Sequence, residues 1–336
     1  MGNKSDTVNG GNTALEPAVK SQNPLIRTAI VSGAIILGYI ALNFVTGGRL
    51  LTGGNILAVL RGSVVTTFVV WGFCFILTMG MMDLSLGAIM ILASNVGGIL
   101  AIHAKMGYVG LIAGAIVVAT ALQILNMRMM LLAKIPPWIY GLGIAMVYEA
   151  IGTFYNVAQI RAGKQSVSLG NLYRELGDPP WNLVVLAIGL VLAYIIFNRT
   201  SIGFSLRAVG SNSLVAKMMG ININKTIIYA GIVTGIFVGL AAAINESYGG
   251  RVVPQSGLNS IASIFMPLAA YLLANAFEKI YNIIIGAVIS AIIITSVFNV
   301  LTLLGVPSGT WQQVVMGCGV LVCGILSQRR YEGVVK

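Results

Sequence analysis

Hydrophobic residues in this chain fall in long unbroken blocks, not in the alternating or 3.6-residue stripes of half-buried elements. The blocks lie near 26–45, 56–79, 84–103, 108–127, 137–157, 182–198, 226–247, 259–277, 281–304 and 310–327, most of them close to the roughly 20 residues a helix needs to cross hydrocarbon. Ten such blocks predict an all-α, polytopic membrane protein with a spanning domain over 25–328. Residues 1–24 are rich in Asn, Ser, Gly and Thr and hold no apolar h-region, so they read as a disordered tail and not a signal peptide. Residues 329–336 read as a second short tail.

The polar island 199–225 between the sixth and seventh blocks is the exception to this pattern. In it, Ser211 or Ser213 can cap a helix N-terminus, Leu214, Val215, Met218 and Met219 make one apolar face, and Gly220 can supply a left-handed stop. These features predict a two-turn amphipathic helix facing water between two spans. An even number of crossings puts both termini on one side. Thirteen of the 20 Lys and Arg residues fall on the N-terminal side, so the positive-inside rule makes both termini and the island cytoplasmic.

Composition narrows the function. With 57% hydrophobic and 9% charged residues the chain is far from a soluble globule, which carries about 25% charged residues. The net charge of +11 is spread through the connecting segments instead of being clustered with aromatics, which argues for membrane topology and against a nucleic-acid partner. Cys74, Cys318 and Cys323 sit in apolar runs without disulfide or metal spacing. There is no Gly-x-x-x-x-Gly-Lys-Ser/Thr loop and no nucleophile motif, and His103 is the only histidine. The chain therefore reads as neither an enzyme nor an ATPase, and no cofactor or metal of its own is expected.

Two interruptions point to a pathway, since broken helices are tolerated in a membrane only against protein or a water-filled cavity. Asn55 to Arg61, after Gly53-Gly54, reads as a helix that starts, meets an arginine and restarts; Gly80 to Asp83 separates the second and third spans. A faint echo between Leu84–Met90 and Ile283–Ile289 suits an internal repeat. Asp83 has two readings, as N-cap of the third span or as a group shaping the route, because a buried acid in a membrane needs a partner or a use.

Glu149, within the fifth span with no local cap role, is either bonded to a neighbouring helix or accepts hydroxyls of a solute. Glu246 and Asn245 end the seventh span. Asn95, Gln123, Asn126, Asn275 and Asn299 line a hydrophilic route or join helices. Gly231, Gly235 and Gly239 share one helix face and predict close packing. Trp71, Phe73, Phe75, Tyr140, Tyr148 and Tyr155 are packing groups or stacking platforms for a sugar or base.

The island stretch Leu206-Arg207-Ala208-Val209-Gly210-x-Asn212-x-x-x-Ala216-x-x-x-Gly220-Ile221-Asn222 resembles the cytoplasmic loop of ribose-type ABC importer permeases. Asp83-Leu84-Ser85 with Gly87 resembles that family's Gly-Ile-Asp-Leu-Ser-x-Gly signature, with Met81-Met82 in place of Gly-Ile. Ile135-Pro136-Pro137-Trp138-Ile139 resembles its entry to the fifth span. A Gly-rich stretch of the family is replaced here by Tyr271–Lys279.

The resemblance implies a type II importer-like permease for a small polar solute, most simply a monosaccharide. It also implies a second permease subunit, identical or different, an ATPase that binds ATP and Mg, and an extracytoplasmic solute-binding protein. Leu206, Arg207, Gly210, Asn212, Ala216, Lys217 and Gly220 would then couple to the ATPase. The polar residues of the spans, Asp83, Asn95, Gln123, Glu149, Asn245, Asn275 and Asn299, are the candidates for lining the route. A nucleoside or purine permease of the same fold, and an ion-coupled secondary transporter using Glu149, are the alternative expectations.

Overall fold

A computed structural model describes residues 24–161, 168–278, 280–306 and 309–328. The two tails expected at 1–24 and 329–336 lie outside them, apart from Pro24. Twelve α-helices follow one another among the described residues: α1 (Pro24–Val45), α2 (Gly53–Leu77), α3 (Leu86–Ile102), α4 (Gly107–Ala133), α5 (Pro137–Arg161), α6 (Trp181–Arg199), α7 (Ser201–Ser211), α8 (Ser213–Met218), α9 (Ile223–Gly249), α10 (Asn259–Ala276), α11 (Ile283–Leu303) and α12 (Thr310–Gln328). Each of the ten apolar blocks is one helix, and the island holds the two short ones. Seven helices are long and apolar enough to cross a membrane; α3 and the core of α12 are shorter apolar helices.

The expected restart at Asn55–Arg61 does not occur. Helix α2 runs unbroken from Gly53 to Leu77, because an arginine near a helix end keeps its backbone hydrogen bonds when the side chain finds partners elsewhere. Arg61 pairs with Asp178 and lies over the Tyr248 ring, 4.4 Å from its centroid. The break at Gly80–Asp83 is real, with Gly80 at φ +75° turning the chain out of α2.

Helix α2 is apolar on all sides from Val64 to Ile76 and is correspondingly buried all round. Its Phe68, Trp71 and Phe75 form a ring cluster with Phe237 of α9, and Phe75 stacks on Phe237 at 5.7 Å. The Trp71 indole donates to the Ile284 carbonyl of α11 at 3.0 Å, so these aromatics hold the bundle together and are not free platforms for a solute. Apolar side chains gain little by leaving lipid for protein, so close packing must supply the cohesion. Gly231, Gly235 and Gly239 provide it, bringing α9 so near α4 that added Cβ atoms would overlap Met127, Thr120 and Ile116. Gly235→Val is expected to push these two helices apart at a cost of about 1 to 3 kcal/mol or more, read as a lower melting temperature of the solubilised subunit. The outer surface stays apolar, with Phe44 81% and Phe154 78% exposed.

The chain contains one arrangement twice. A long helix, a non-helical segment and a short helix occur as α2, 78–85, α3 and again as α9, 250–258, α10. Helix α3 packs on α4, α5 and α9, while α10 packs on α11, α12 and α2. The end of α2 lies beside α7, just before the point where α9 begins, so the two units run in opposite senses. The echo of Leu84–Met90 in Ile283–Ile289 sets α3 against α11, whereas the repeated order of elements sets α3 against α10.

Candidate functional site

The two broken units converge inside the bundle. Asp83, wholly buried, accepts the Ser85 amide on Oδ1 at 2.8 Å and the Gln123 side-chain amide of α4 on Oδ2 at 3.0 Å. Asn126 of α4 donates to Ser85 Oγ at 2.7 Å, and the Tyr148 hydroxyl of α5 donates to Asn126 Oδ1 at 2.7 Å. Gly141 of α5 lets this loop approach, since a Cβ there would stand 2.7 Å from Asp83 Oδ1. Asp83 thus binds the first turn leading into α3 without being its N-cap residue, a position held by Ser85.

Glu149, next to Tyr148 and 4% exposed, does have a capping role, on another helix. Its Oε2 accepts the Leu258 amide at 2.8 Å and its Oε1 the Ser260 amide at 2.7 Å, at the entry to α10. The carboxylate therefore meets donors orphaned at a helix N-terminus and the positive end of that helix's dipole. The starts of α3 and α10 touch, because a Cβ on Gly87 would overlap the Ser260 carbonyl and stand 2.8 Å from Ser263 Oγ. Adjacent α5 residues, Tyr148 and Glu149, hold the two starts in place.

The other polar residues do not join this cluster. Asn95 donates to Ile91 of its own helix at 2.7 Å, and Asn275 donates to Ser327 Oγ of α12 at 2.8 Å. Asn245 is half-buried on α9 beside Glu246, whose Oε2 accepts the Val252 amide at 3.1 Å. Asn299 is half-buried on α11. Leu258 and Ser260 carry no sequence signal, because their link to Glu149 is long-range, whereas the bonding of Ser85 to Asp83 is legible in its i, i+2 spacing, a local Asx signal.

On the island, α7 folds back on the end of α6. Leu206 is fully buried, and Gly203 fits against the Phe197 carbonyl. The Arg207 guanidinium lies over the Phe197 ring at 5.4 Å. Gly210 sits directly on the Thr78 carbonyl at the end of α2, where any side chain would overlap. The α8 cap is Asn212, not Ser211 or Ser213: its Oδ1 accepts the Leu214 and Val215 amides at 3.0 and 3.1 Å. Gly220 ends the helix at φ +83°.

Ala216 is buried, Lys217 is exposed, and Leu214, Met218 and Met219 are 66%, 72% and 63% exposed, forming an apolar knob rimmed by polar residues. Asn212→Ala is expected to destabilise α8 by about 1 kcal/mol, seen as faster amide exchange at Leu214 and Val215.

Comparison with known proteins adds identity to this geometry. The D-allose transport system permease protein of Escherichia coli is 26% identical over 285 residues, covering 83% of this chain and 84% of that protein. The ribose import permease protein of Bacillus subtilis is 26% identical over 288 residues, covering 82% and 85%. The xylose transport system permease protein of Haemophilus influenzae is 31% identical over 164 residues, covering 48% of this chain and only 41% of that protein. No solved structure matches. Residues 55–323 match the family model described as branched-chain amino acid transport system / permease component, and the chain belongs to that family.

Proposed function

We propose that this chain is the membrane permease subunit of an ATP-binding cassette importer for a monosaccharide. The observation that carries the reading is the set of relatives named for allose, ribose and fructose, each matched over more than four-fifths of this chain. The chain sits in the inner membrane with ten crossings, the seven long apolar helices plus α3, α5 and α12, and with both termini and α7–α8 on the cytoplasmic side. Transport alternates between outward and inward access, with the energy arriving from a separate ATPase that binds ATP and Mg. A second permease subunit and an extracytoplasmic binding protein complete the assembly.

The apolar knob on α8 is the contact through which the ATPase acts. Its Leu214, Met218 and Met219 offer desolvation energy to a groove, and α7, anchored by Leu206, makes the knob rigid. A photocrosslinking residue in place of Met218 is expected to capture the ATPase in the intact complex. Capture of lipid alone would remove this assignment.

The ion-coupled alternative loses its main support, because both Glu149 oxygens are engaged by backbone amides. The nucleoside alternative loses the second-span aromatics, which are packed in the core.

A further inference from the structure

We propose that the non-helical segment before α10, together with the first turn of α10, lines the solute route at mid-membrane, and that Gln255, Ser256, Asn259 and Ser263 there contact an uncharged, polyhydroxylated solute. This rests on the permease reading above and assigns the part of the chain that touches cargo.

Depth comes first. Glu149 is the middle residue of the 25-residue helix α5, about 18 Å from either end at 1.5 Å per residue. It holds the amides of Leu258 and Ser260, so the start of α10 lies at that depth. Pro254 touches α5 one turn further along, where a Cβ on Gly152 would meet it at 2.9 Å. The segment 250–258 therefore enters the membrane as irregular chain and stops halfway.

Gln255, Ser256, Gly257, Asn259 and Ser263 are exposed. Among the described residues, no protein acceptor is found for the backbone amides of Val253, Gln255, Ser256 or Gly257. Unpaired backbone does not face hydrocarbon, so irregular chain at this depth must border water or protein. Apart from Val253, the exposed side chains of the segment are polar, which fits water.

The chemistry of the lining sets the class of solute. Amides and hydroxyls both donate and accept, as the hydroxyls of a sugar require. In many transporters the positive ends of broken helices hold an anionic solute. Here Asp83 and Glu149 already occupy those ends at α3 and α10, so neither helix end is free to hold a carboxylate.

The test uses the full complex in proteoliposomes, with Cys318→Ser as background because Cys74 and Cys323 are buried. Ser256→Cys, Asn259→Cys and Ser263→Cys are treated with 2-(trimethylammonium)ethyl methanethiosulfonate, which does not enter lipid. Val191→Cys on the outer face of α6 and Leu172→Cys in the segment over the end of α9 serve as lipid-facing and water-facing controls.

The expected result is labelling at least about ten-fold faster than at Val191→Cys, since only a water-filled route admits the reagent, followed by loss of ATP-driven uptake of ribose, xylose, allose or fructose. Three cysteines as unreactive as Val191→Cys, while Leu172→Cys reacts, would overturn the proposal, as would labelling that leaves uptake intact. If one variant fails to assemble, the other two decide. Rapid labelling in a complex that takes up none of the four sugars supports the water-lined route and removes the monosaccharide reading instead.

Discussion

Glu149→Ala is expected to destabilise the subunit by about 2 to 6 kcal/mol, because it strands two buried backbone amides that each cost about 1 to 3 kcal/mol unpaired. The amides of Leu258 and Ser260 have no local carbonyl to turn to at the start of α10, and the positive end of that helix loses its anion. Glu149→Gln is expected to cost roughly half as much, since an amide keeps one acceptor and turns a donor toward the second N–H. Thermal melting of the solubilised subunit separates the three proteins in that order. A Gln variant as stable as the parent but without uptake would mean instead that the charge itself takes part in transport.

Gly210→Ala is expected to leave the complex assembled and hydrolysing ATP while lowering the solute moved per ATP. The reason is geometric. Helix α7 is fixed from behind by Leu206 and Gly203, so a methyl group at 210 can be accommodated only by displacing the Thr78 carbonyl. Thr78 ends α2 just before the Gly80–Asp83 break, whose far side carries the Asp83–Gln123 and Ser85–Asn126 bonds.

On the proposed reading, the Gly210–Thr78 contact passes a push on α8 toward the start of α3. Perturbing such a link by the usual 0.5 to 2 kcal/mol corresponds to about a 2- to 30-fold drop in coupling, and Gly210→Val should lie beyond Ala. The measurement is uptake and ATP hydrolysis on the same proteoliposomes. Parallel loss of both would assign Gly210 to assembly instead.

The architecture was largely legible because block hydrophobicity reports directly on helices that must satisfy their own backbone. All ten blocks are helices, and the spacing of Gly231, Gly235 and Gly239 marks a closely packed face, while its partner α4 is visible only in the fold. The failures share a cause. Arg61 looked like a helix breaker because its partners, Asp178 and Tyr248, lie more than a hundred residues away. Glu149 looked uncapped because the helix it caps begins 110 residues later.

Helix α7 was missed as a helix even though Ile202, Leu206 and Val209 recur at i, i+4 and i+7, since its neighbours were judged by polarity and not by period. The resemblance supplied what residue patterns could not, namely that the island has a coupling role to be tested. Asp83 and Gln123 are bonded to each other inside the bundle, and Asn95 bonds within its own helix.

This chain is expected to move a monosaccharide only when a separate ATPase drives it. Uptake of radiolabelled ribose, xylose, allose and fructose into proteoliposomes holding the permease, its ATPase and its binding protein measures this directly. At least one sugar should accumulate with ATP present and none when the ATPase is omitted; accumulation by this chain alone, driven by an ion gradient and indifferent to ATP, would contradict the account.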